Sequence, residues 1–244
     1  MYQTHILKNG LIIHQHVPNK AAYCGLIIGV GTRDELEDEE GIAHFIEHVI
    51  FKGTEKRKAY HILSRIEDVG GELNAYTTKE DTCIYASFLA KDYERTLELF
   101  SDIVFHSVFP EKEIEKEKEV VIDEINSYKD SPGELIYDDF EGLIYKGYPI
   151  GRNILGSEEA VRGLKREKIQ EFVKRNYKPG RMVISSIGDI PFEKLVRLIE
   201  KYFGGIEEDT SQLVRLKPEI YVPCFKEVNL ETYQNHCILG NIAY

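Results

Sequence analysis

The sequence predicts an α+β fold in which helices pack on a mostly antiparallel sheet, and three observations lead to this prediction. The pair Asn9-Gly10 lies between two apolar stretches and is typical of a tight β-hairpin. Residues 72–77 and 82–89 are rich in β-branched and aromatic side chains and are joined by a short polar turn, which predicts a second hairpin. The helical segments follow one another in runs, whereas a parallel sheet alternates each strand with a helix.

The other elements are predicted from apolar runs and from residues typical of helix boundaries. The nearly continuous apolar run 22–31 indicates a buried strand, and residues 182–188 indicate a further strand. Pro110 marks the start of a long charged helix, because proline is tolerated at the first helical position. Helices are predicted over residues 41–51, 59–69, 92–106, 111–129, 133–144, 157–163, 167–176 and 192–203.

The composition argues against several classes of protein. The 244 residues carry 42 acidic and 31 basic side chains, so a formal net charge of −11 would repel a nucleic-acid backbone. No apolar run approaches the roughly 20 residues of a membrane helix, and the first residues lack the pattern of a secretory signal. The four cysteines form no Cys-x-x-Cys pair, which favours reduced thiols. We therefore expect no nucleic-acid or membrane partner and a cytoplasmic location.

Residues 44–48 read His-x-x-Glu-His, the inversion of the His-Glu-x-x-His zinc motif. On a helix, His44 and His48 project from one face about one turn apart, so both imidazoles can bind one Zn²⁺. Glu47 lies beside that face, close enough to take a proton from a zinc-bound water. Because a chain of this composition can contain the motif by chance, the third ligand decides whether it is a zinc site.

The charged helix predicted over 111–129 offers the third ligand. Most of its carboxylates are expected on a solvated face together with lysines. Glu124 differs because it lies among apolar residues, which predicts that it is buried and needs a partner such as a metal. Glu117 is two turns back on nearly the same face. This reasoning favours Glu124 over its neighbours.

Further motifs run in order along nearly the whole chain. They occupy residues 31–35, 41–48, 51–54, 70–77, 117–125, 154–159 and 187–190. Together they resemble the pitrilysin family of zinc metallopeptidases, which includes insulysin and the mitochondrial processing peptidase.

The resemblance implies roles for the matching positions of the zinc motif. His44 and His48 are expected to be zinc ligands, Glu47 the general base and Glu124 the third ligand. The 75 residues between His48 and Glu124 form an interval similar to that of the family.

Three further positions match family residues outside the zinc-binding set. The resemblance implies that Glu117 supports the site without binding the metal. It also implies that Asn74 and Ala75, on a strand, bind the main chain of a peptide substrate by β-augmentation. The alternative for Asn74 is an ordinary polar residue near a turn.

Members of the family carry two homologous halves, the second without metal, that close like a clamshell around the peptide. The resemblance implies that this chain is one half of such a metallopeptidase. We expect a catalytic domain over residues 1–205, a linker or extended arm over 206–232, and the first strand of a truncated second domain over 233–244. The expected partner is a second homologous half or a partner subunit, and self-association is a further option.

The expected function is that of a zinc-dependent endopeptidase acting on extended or unfolded peptides. The alternatives are a non-catalytic subunit of the same fold and a fragment that is inactive without its second half. The complete His-x-x-Glu-His motif, together with a distal glutamate at a fitting distance, favours the enzyme.

Overall fold

The computed structural model describes residues 2–16, 20–209, 211, 213–219, 222–229 and 233–241. Six strands form one sheet in the order β1-β2-β6-β3-β5-β4. Neighbouring strands are antiparallel except for β2 and β6, which are parallel. The prediction of a mostly antiparallel α+β fold is therefore confirmed. The strands are β1 (Tyr2–Ile6), β2 (Ile12–His16), β3 (Ala21–Ile28), β4 (Glu72–Thr77), β5 (Thr82–Leu89) and β6 (Met182–Ile187).

Both predicted hairpins are present. Gly10 closes the first hairpin with a φ of 92°, a conformation that glycine adopts without the strain a Cβ atom would cause. The second hairpin joins β4 and β5, and its turn is held by Thr78, whose hydroxyl accepts the backbone N–H groups of Glu80 at 3.1 Å and Asp81 at 3.0 Å. Strand β4 is consequently at the edge of the sheet.

The central strand β3 is less buried than its apolar sequence predicts. Its residues alternate between buried and partly exposed positions, and Tyr23 is 52% exposed. The neighbouring side chains of Tyr85 and Ile187 are 39% and 42% exposed. The reason is that helices cover one face of the sheet, while the described residues leave these positions on the other face open.

The described residues contain eight α-helices, each within two residues of its predicted bounds. Pro110 is the N-cap residue of α4 and immediately precedes its first turn. None of the described helices combines the length and apolarity needed to cross a membrane; the cytoplasmic location stays a prediction. The helices are α1 (Ile42–Val49), α2 (Ala59–Glu67), α3 (Tyr93–Phe105), α4 (Glu111–Lys129), α5 (Pro132–Ile144), α6 (Glu158–Gly163), α7 (Arg166–Asn176) and α8 (Phe192–Phe203).

Helix α1, which carries the His-x-x-Glu-His motif, lies inside the fold. It contacts β4, α4 and α7. Its apolar side chains Phe45, Ile46 and Val49 have no exposed surface. Burial of each such side chain stabilises the fold by about 1.5–3 kcal/mol, so the position of this short helix is strongly determined by packing.

The residues after α8 form no helix or strand in the part of the chain that the structure describes. They are nevertheless attached to the domain. Arg215 donates to both carboxylate oxygens of Asp34, from Nε at 2.9 Å and from Nη2 at 2.7 Å. The predicted domain boundaries are not tested by these contacts, and residues 242–244 of the predicted final strand lie outside the described residues.

Replacing Gly41 with alanine is expected to lower the free energy of unfolding by about 1–3 kcal/mol. Gly41 is the N-cap of α1 and has a φ of 79°, and a Cβ atom there would lie 2.7 Å from the carbonyl oxygen of Leu155. Urea unfolding of the two proteins measures the difference. Gly205→Ala is the control, because that exposed position has open space around it; equal stability of all three proteins would contradict the packing described for Gly41.

Candidate metal centre

Helix α1 presents His44 and His48 from the same face, one turn apart. Their Nε2 atoms are 3.3 Å apart, and the two rings meet edge to face with centroids 4.7 Å apart. His44 is only 6% exposed, whereas His48 is half-buried. The i, i+4 spacing predicted this arrangement, because side chains four residues apart on a helix lie above one another.

Helix α4 brings Glu124 to the two histidines. Its Oε2 atom lies 3.3 Å from Nε2 of His48 and 3.7 Å from Nε2 of His44. The three atoms thus form a compact triangle. Ligand atoms around a tetrahedral zinc with bonds of about 2.0–2.2 Å are about 3.3–3.6 Å apart, so the triangle has the dimensions of three zinc ligands.

The donor atoms also have the right chemistry for a metal. Nδ1 of His48 lies 3.2 Å from Oε1 of Glu117, and a carboxylate can only accept a proton there, so Nδ1 carries the hydrogen. In the neutral tautomer that binds a metal, His48 therefore has its lone pair on Nε2, the atom that lies 3.3 Å from both His44 and Glu124. Without a metal, a proton on Nε2 satisfies this contact by donating to Glu124, and a zinc ion would take the place of that proton. The residues present therefore fit Zn²⁺.

The surroundings shift the pKa values of the two histidines in opposite directions and lower the pKa of Glu124. Burial, with a contribution from the neighbouring charge of His48, lowers the pKa of His44 to about 4, so His44 is neutral near pH 7. Burial also acts to lower the pKa of His48, but Glu124 and Glu117 outweigh it and the pKa is raised. The hydrogen bond with His48 lowers the pKa of Glu124. Neutral His44 and ionised Glu124 are the forms that bind a metal.

The burial predicted for Glu124 is wrong. Its side chain is 44% exposed, while that of Glu117 is 11% exposed. Val121 and Ile125 occupy the positions of α4 that face the core, so Glu124 lies at the border of the apolar stripe, with one side toward His48 and the other toward solvent. The cluster is consequently open on the side of Glu124, as a catalytic zinc site must be to admit a water or a substrate.

Glu47 lies between the cluster and the end of β4. It is half-buried, and burial raises its pKa, while nearby Thr77 and His48 act in the opposite direction. The charge of Glu47 also acts on Tyr177, a buried residue whose pKa is raised by burial and by that charge. A carboxylate with a raised pKa holds a proton more readily than a free glutamate, which suits a group that takes and later releases one.

Asn74 and Ala75 lie on the edge strand β4. Ala75 is buried and paired with Ile84 of β5, while the side chain of Asn74 is exposed and accepts the N–H of Ala75 at 2.8 Å. In the described part of the chain, β4 has a neighbouring strand on one side only. Because α1 contacts β4, the open edge runs beside the helix that carries His44 and Glu47.

Two charged residues near the cluster fall inside the motifs at residues 31–35 and 51–54, although these motifs indicate no role for either residue. Glu35 is 4% exposed, and its two oxygens accept the N–H groups of Gly41 at 3.1 Å and Ala43 at 3.0 Å, so it caps the start of α1. Lys52 follows α1 and contacts Glu117 at 2.8 Å. The position of Lys52, four residues after His48, could have indicated that it lies close to the site. The contacts of Glu35 with the start of α1 depend on the path of the loop between them, which no local sequence pattern predicts.

The fold and the cluster together define an α+β domain with a candidate zinc site on a buried helix, and comparisons with known proteins agree. The sequence model of the family described as "Insulinase (Peptidase family M16)" matches residues 11–158. A second family model, described as "Peptidase M16 inactive domain", matches residues 163–243. The chain therefore belongs to the insulinase, or M16, family of peptidases, and the resemblance to the pitrilysin family is confirmed.

Individual relatives lead to the same assignment. The chain is 34% identical over 242 residues to an uncharacterized zinc protease of Bacillus subtilis, covering 98% of this chain and 59% of that protein. It is 36% identical to the mitochondrial-processing peptidase subunit beta of Saccharomyces cerevisiae, covering 91% of this chain and 49% of that protein. A protease from Helicobacter pylori has a similar structure, with a TM-score of 0.82 and 25% identity over 88% of this chain and 52% of that one. The chain spans about half the length of the relatives it matches.

The cap on α1 gives a pH-dependent prediction. Burial, the largest influence, raises the pKa of Glu35 from 4.5 to about 8 despite the two backbone N–H groups that it accepts. A raised pKa in the folded state means that Glu35 contributes its full stability below about pH 4.5 and loses it as the pH rises toward 8. The difference in unfolding free energy between wild type and Glu35→Gln is therefore expected to fall with pH, by at most about 1.4 kcal/mol per pH unit.

Urea unfolding of the metal-free proteins at several pH values between 5 and 8 measures this difference. The exposed Glu67→Gln variant is the control and should follow the wild type at every pH. A constant difference between wild type and Glu35→Gln across this range would show that Glu35 does not change its protonation there.

Proposed function

We propose that the chain is the zinc-binding catalytic half of a metalloendopeptidase that hydrolyses extended or unfolded peptides. The observation that carries this proposal is the convergence of His44, His48 and Glu124 on a triangle of zinc-ligand dimensions, with Glu47 beside it. Membership in a peptidase family and similarity to zinc proteases support a metallopeptidase. The division of roles among the residues is the part that we propose.

His44 and His48, through Nε2, and Glu124, through a carboxylate oxygen, are the residues that would hold the zinc. When bound, zinc supplies a Lewis acid that polarises the scissile carbonyl and lowers the pKa of a water. Glu47 takes a proton from the attacking water onto its carboxylate and later gives it to the nitrogen of the leaving amine. Burial raises its pKa, which makes the carboxylate a better proton acceptor in the first step than a free glutamate would be.

The open edge of β4 supports the proposed class of substrate. A peptide that adds a strand beside Asn74 and Ala75 is bound through its main chain, so the interaction selects extended conformation over a particular sequence. Because β4 runs beside α1, such a peptide passes close to Glu47. A folded protein whose strands are already paired cannot bind in this way, which is why we propose extended or unfolded peptides. The net charge of −11 favours basic peptides among them.

A second homologous half, or a partner subunit, is the proposed partner. The relatives are about twice as long as the part that this chain matches. The cluster is open on the side of Glu124, and the uncovered face of the sheet exposes Tyr23 and Ile187. A second half, or a second copy of this chain, could cover these surfaces and exclude water from the site.

The alternative is a subunit that binds peptides without cleaving them. The match of residues 163–243 to a domain described as inactive favours this alternative. However, His44, His48, Glu47 and Glu124 all lie within residues 11–158, which match the insulinase model. The complete donor set therefore favours the enzyme.

The variant Glu47→Gln is expected to lose peptide hydrolysis by about 10²-fold or more while it still binds one zinc per chain, because the amide cannot accept the proton of the water. Zinc content by atomic emission and cleavage of an unfolded polypeptide by the protein at its full natural length are the two measurements. Glu67→Gln, a change at an exposed glutamate of α2, is the matched control and should leave both unchanged.

Three outcomes separate the proposals. Hydrolysis retained by Glu47→Gln would refute the role of Glu47. Zinc binding without any hydrolysis by the full natural chain would favour the non-catalytic subunit. Activity in the full natural chain that is absent from residues 1–244 alone would identify this half as inactive without its partner.

A further inference from the structure

The carboxylate of Glu117 is shared between two donors. Its Oε1 atom lies 3.2 Å from Nδ1 of His48, and its Oε2 atom lies 2.8 Å from Nζ of Lys52. The side chain of Glu117 is 11% exposed and that of Lys52 is 29% exposed. Each oxygen of this nearly buried carboxylate therefore has its own donor, one of them on a candidate zinc ligand.

Lys52 is held in place by its surroundings. Its N–H donates to the carbonyl oxygen of Val49 at 3.1 Å, at the end of α1. Two residues later, the hydroxyl of Thr54 donates to the buried carboxylate of Asp102 at 2.9 Å. Lys52 also follows the last residue of α1 by three positions, and a positive charge is favourable close to the C-terminal end of a helix. Lys52 thus approaches Glu117 from a fixed backbone.

The contact with Lys52 has a physical consequence for His48. A nearly buried carboxylate needs compensation for the water it has lost, and the single hydrogen bond from His48 satisfies only one of its oxygens. Without Lys52, Glu117 would regain solvation by turning its free oxygen toward water. That movement would release Nδ1 of His48, and the imidazole ring would lose the contact that fixes its orientation.

We propose that Lys52 is a positioning residue of the metal site. It holds one oxygen of Glu117, so that the other stays on Nδ1 of His48 and Nε2 of His48 stays directed at His44 and Glu124. This inference rests on the proposed function, because it concerns the zinc site of that function. It extends the site by a residue that binds neither metal nor substrate.

Lys116 offers a matched control on α4. Its ammonium contacts Glu113 at 2.7 Å, a similar distance, but the two side chains are 68% and 31% exposed. An exposed pair of this kind is worth about 0–1 kcal/mol and touches no residue of the cluster. Replacing Lys116 with methionine removes a lysine–glutamate pair without affecting the support of His48.

The experiment measures the zinc affinity of the protein at its full natural length by competition with a chelating dye. Lys52→Met is expected to bind zinc about 10-fold more weakly than wild type, the lower end of the effect of residues that orient metal ligands. Lys116→Met is expected to bind zinc as wild type does. In the Glu117→Gln background, Lys52→Met is expected to cause no further loss, because its effect passes through Glu117.

A second measurement separates positioning from folding. The visible spectrum of the Co²⁺-substituted protein reports ligand geometry and is expected to change in Lys52→Met but not in Lys116→Met. Urea unfolding of the metal-free Lys52→Met protein is expected to remain a single cooperative transition.

Different results overturn different claims. Wild-type zinc affinity in Lys52→Met, or a full additional loss in the Glu117→Gln background, would overturn the positioning role while the proposed function stands. A wild-type protein that binds no zinc would overturn the proposed function and the role of Lys52 with it.

Discussion

The packing of α1 fixes the geometry of the candidate metal centre. This helix of eight residues lies against β4, α4 and α7, and its apolar side chains are fully buried. Only the face with His44 and His48 remains to meet the side chains of α4. The start of the helix is fixed by Glu35 and by the left-handed conformation of Gly41, and its end leads directly to Lys52. Small movements of this helix would change every distance in the cluster.

Two glutamates of α4 are suited to different roles because their exposure differs. Glu117 is nearly buried and is satisfied by two donors, His48 and Lys52, so its oxygens are already in use. Glu124 is half-exposed, and its Oε2 atom faces the two Nε2 atoms. A nearly buried carboxylate with fixed donors orients a neighbour, whereas a partly open one can bind a metal and leave room for a substrate. The same residue type, seven positions apart on one helix, thus lies in two different environments.

Several surfaces of the described part of the chain are open. The edge strand β4 has a free side there, the cluster is accessible beside Glu124, and the sheet face around Tyr23 is uncovered. A stable enzyme that keeps bulk water out of its site needs these surfaces to be covered. The greater length of the relatives is in keeping with a further half that does so.

The helices, the hairpins and the motif on α1 follow from the amino-acid sequence alone, because periodicity and turn residues act over a few neighbouring positions. The spacing within residues 44–48 is therefore sufficient to place His44, Glu47 and His48 on neighbouring positions of one helix. The side chains that contact this helix, in contrast, depend on how distant segments pack together. The sequence selects Glu124 by a burial argument that proved wrong, and it does not identify Lys52 or Glu35. These contacts join segments that are distant in sequence or separated by a loop, and burial at the border of an apolar stripe depends on what packs against it.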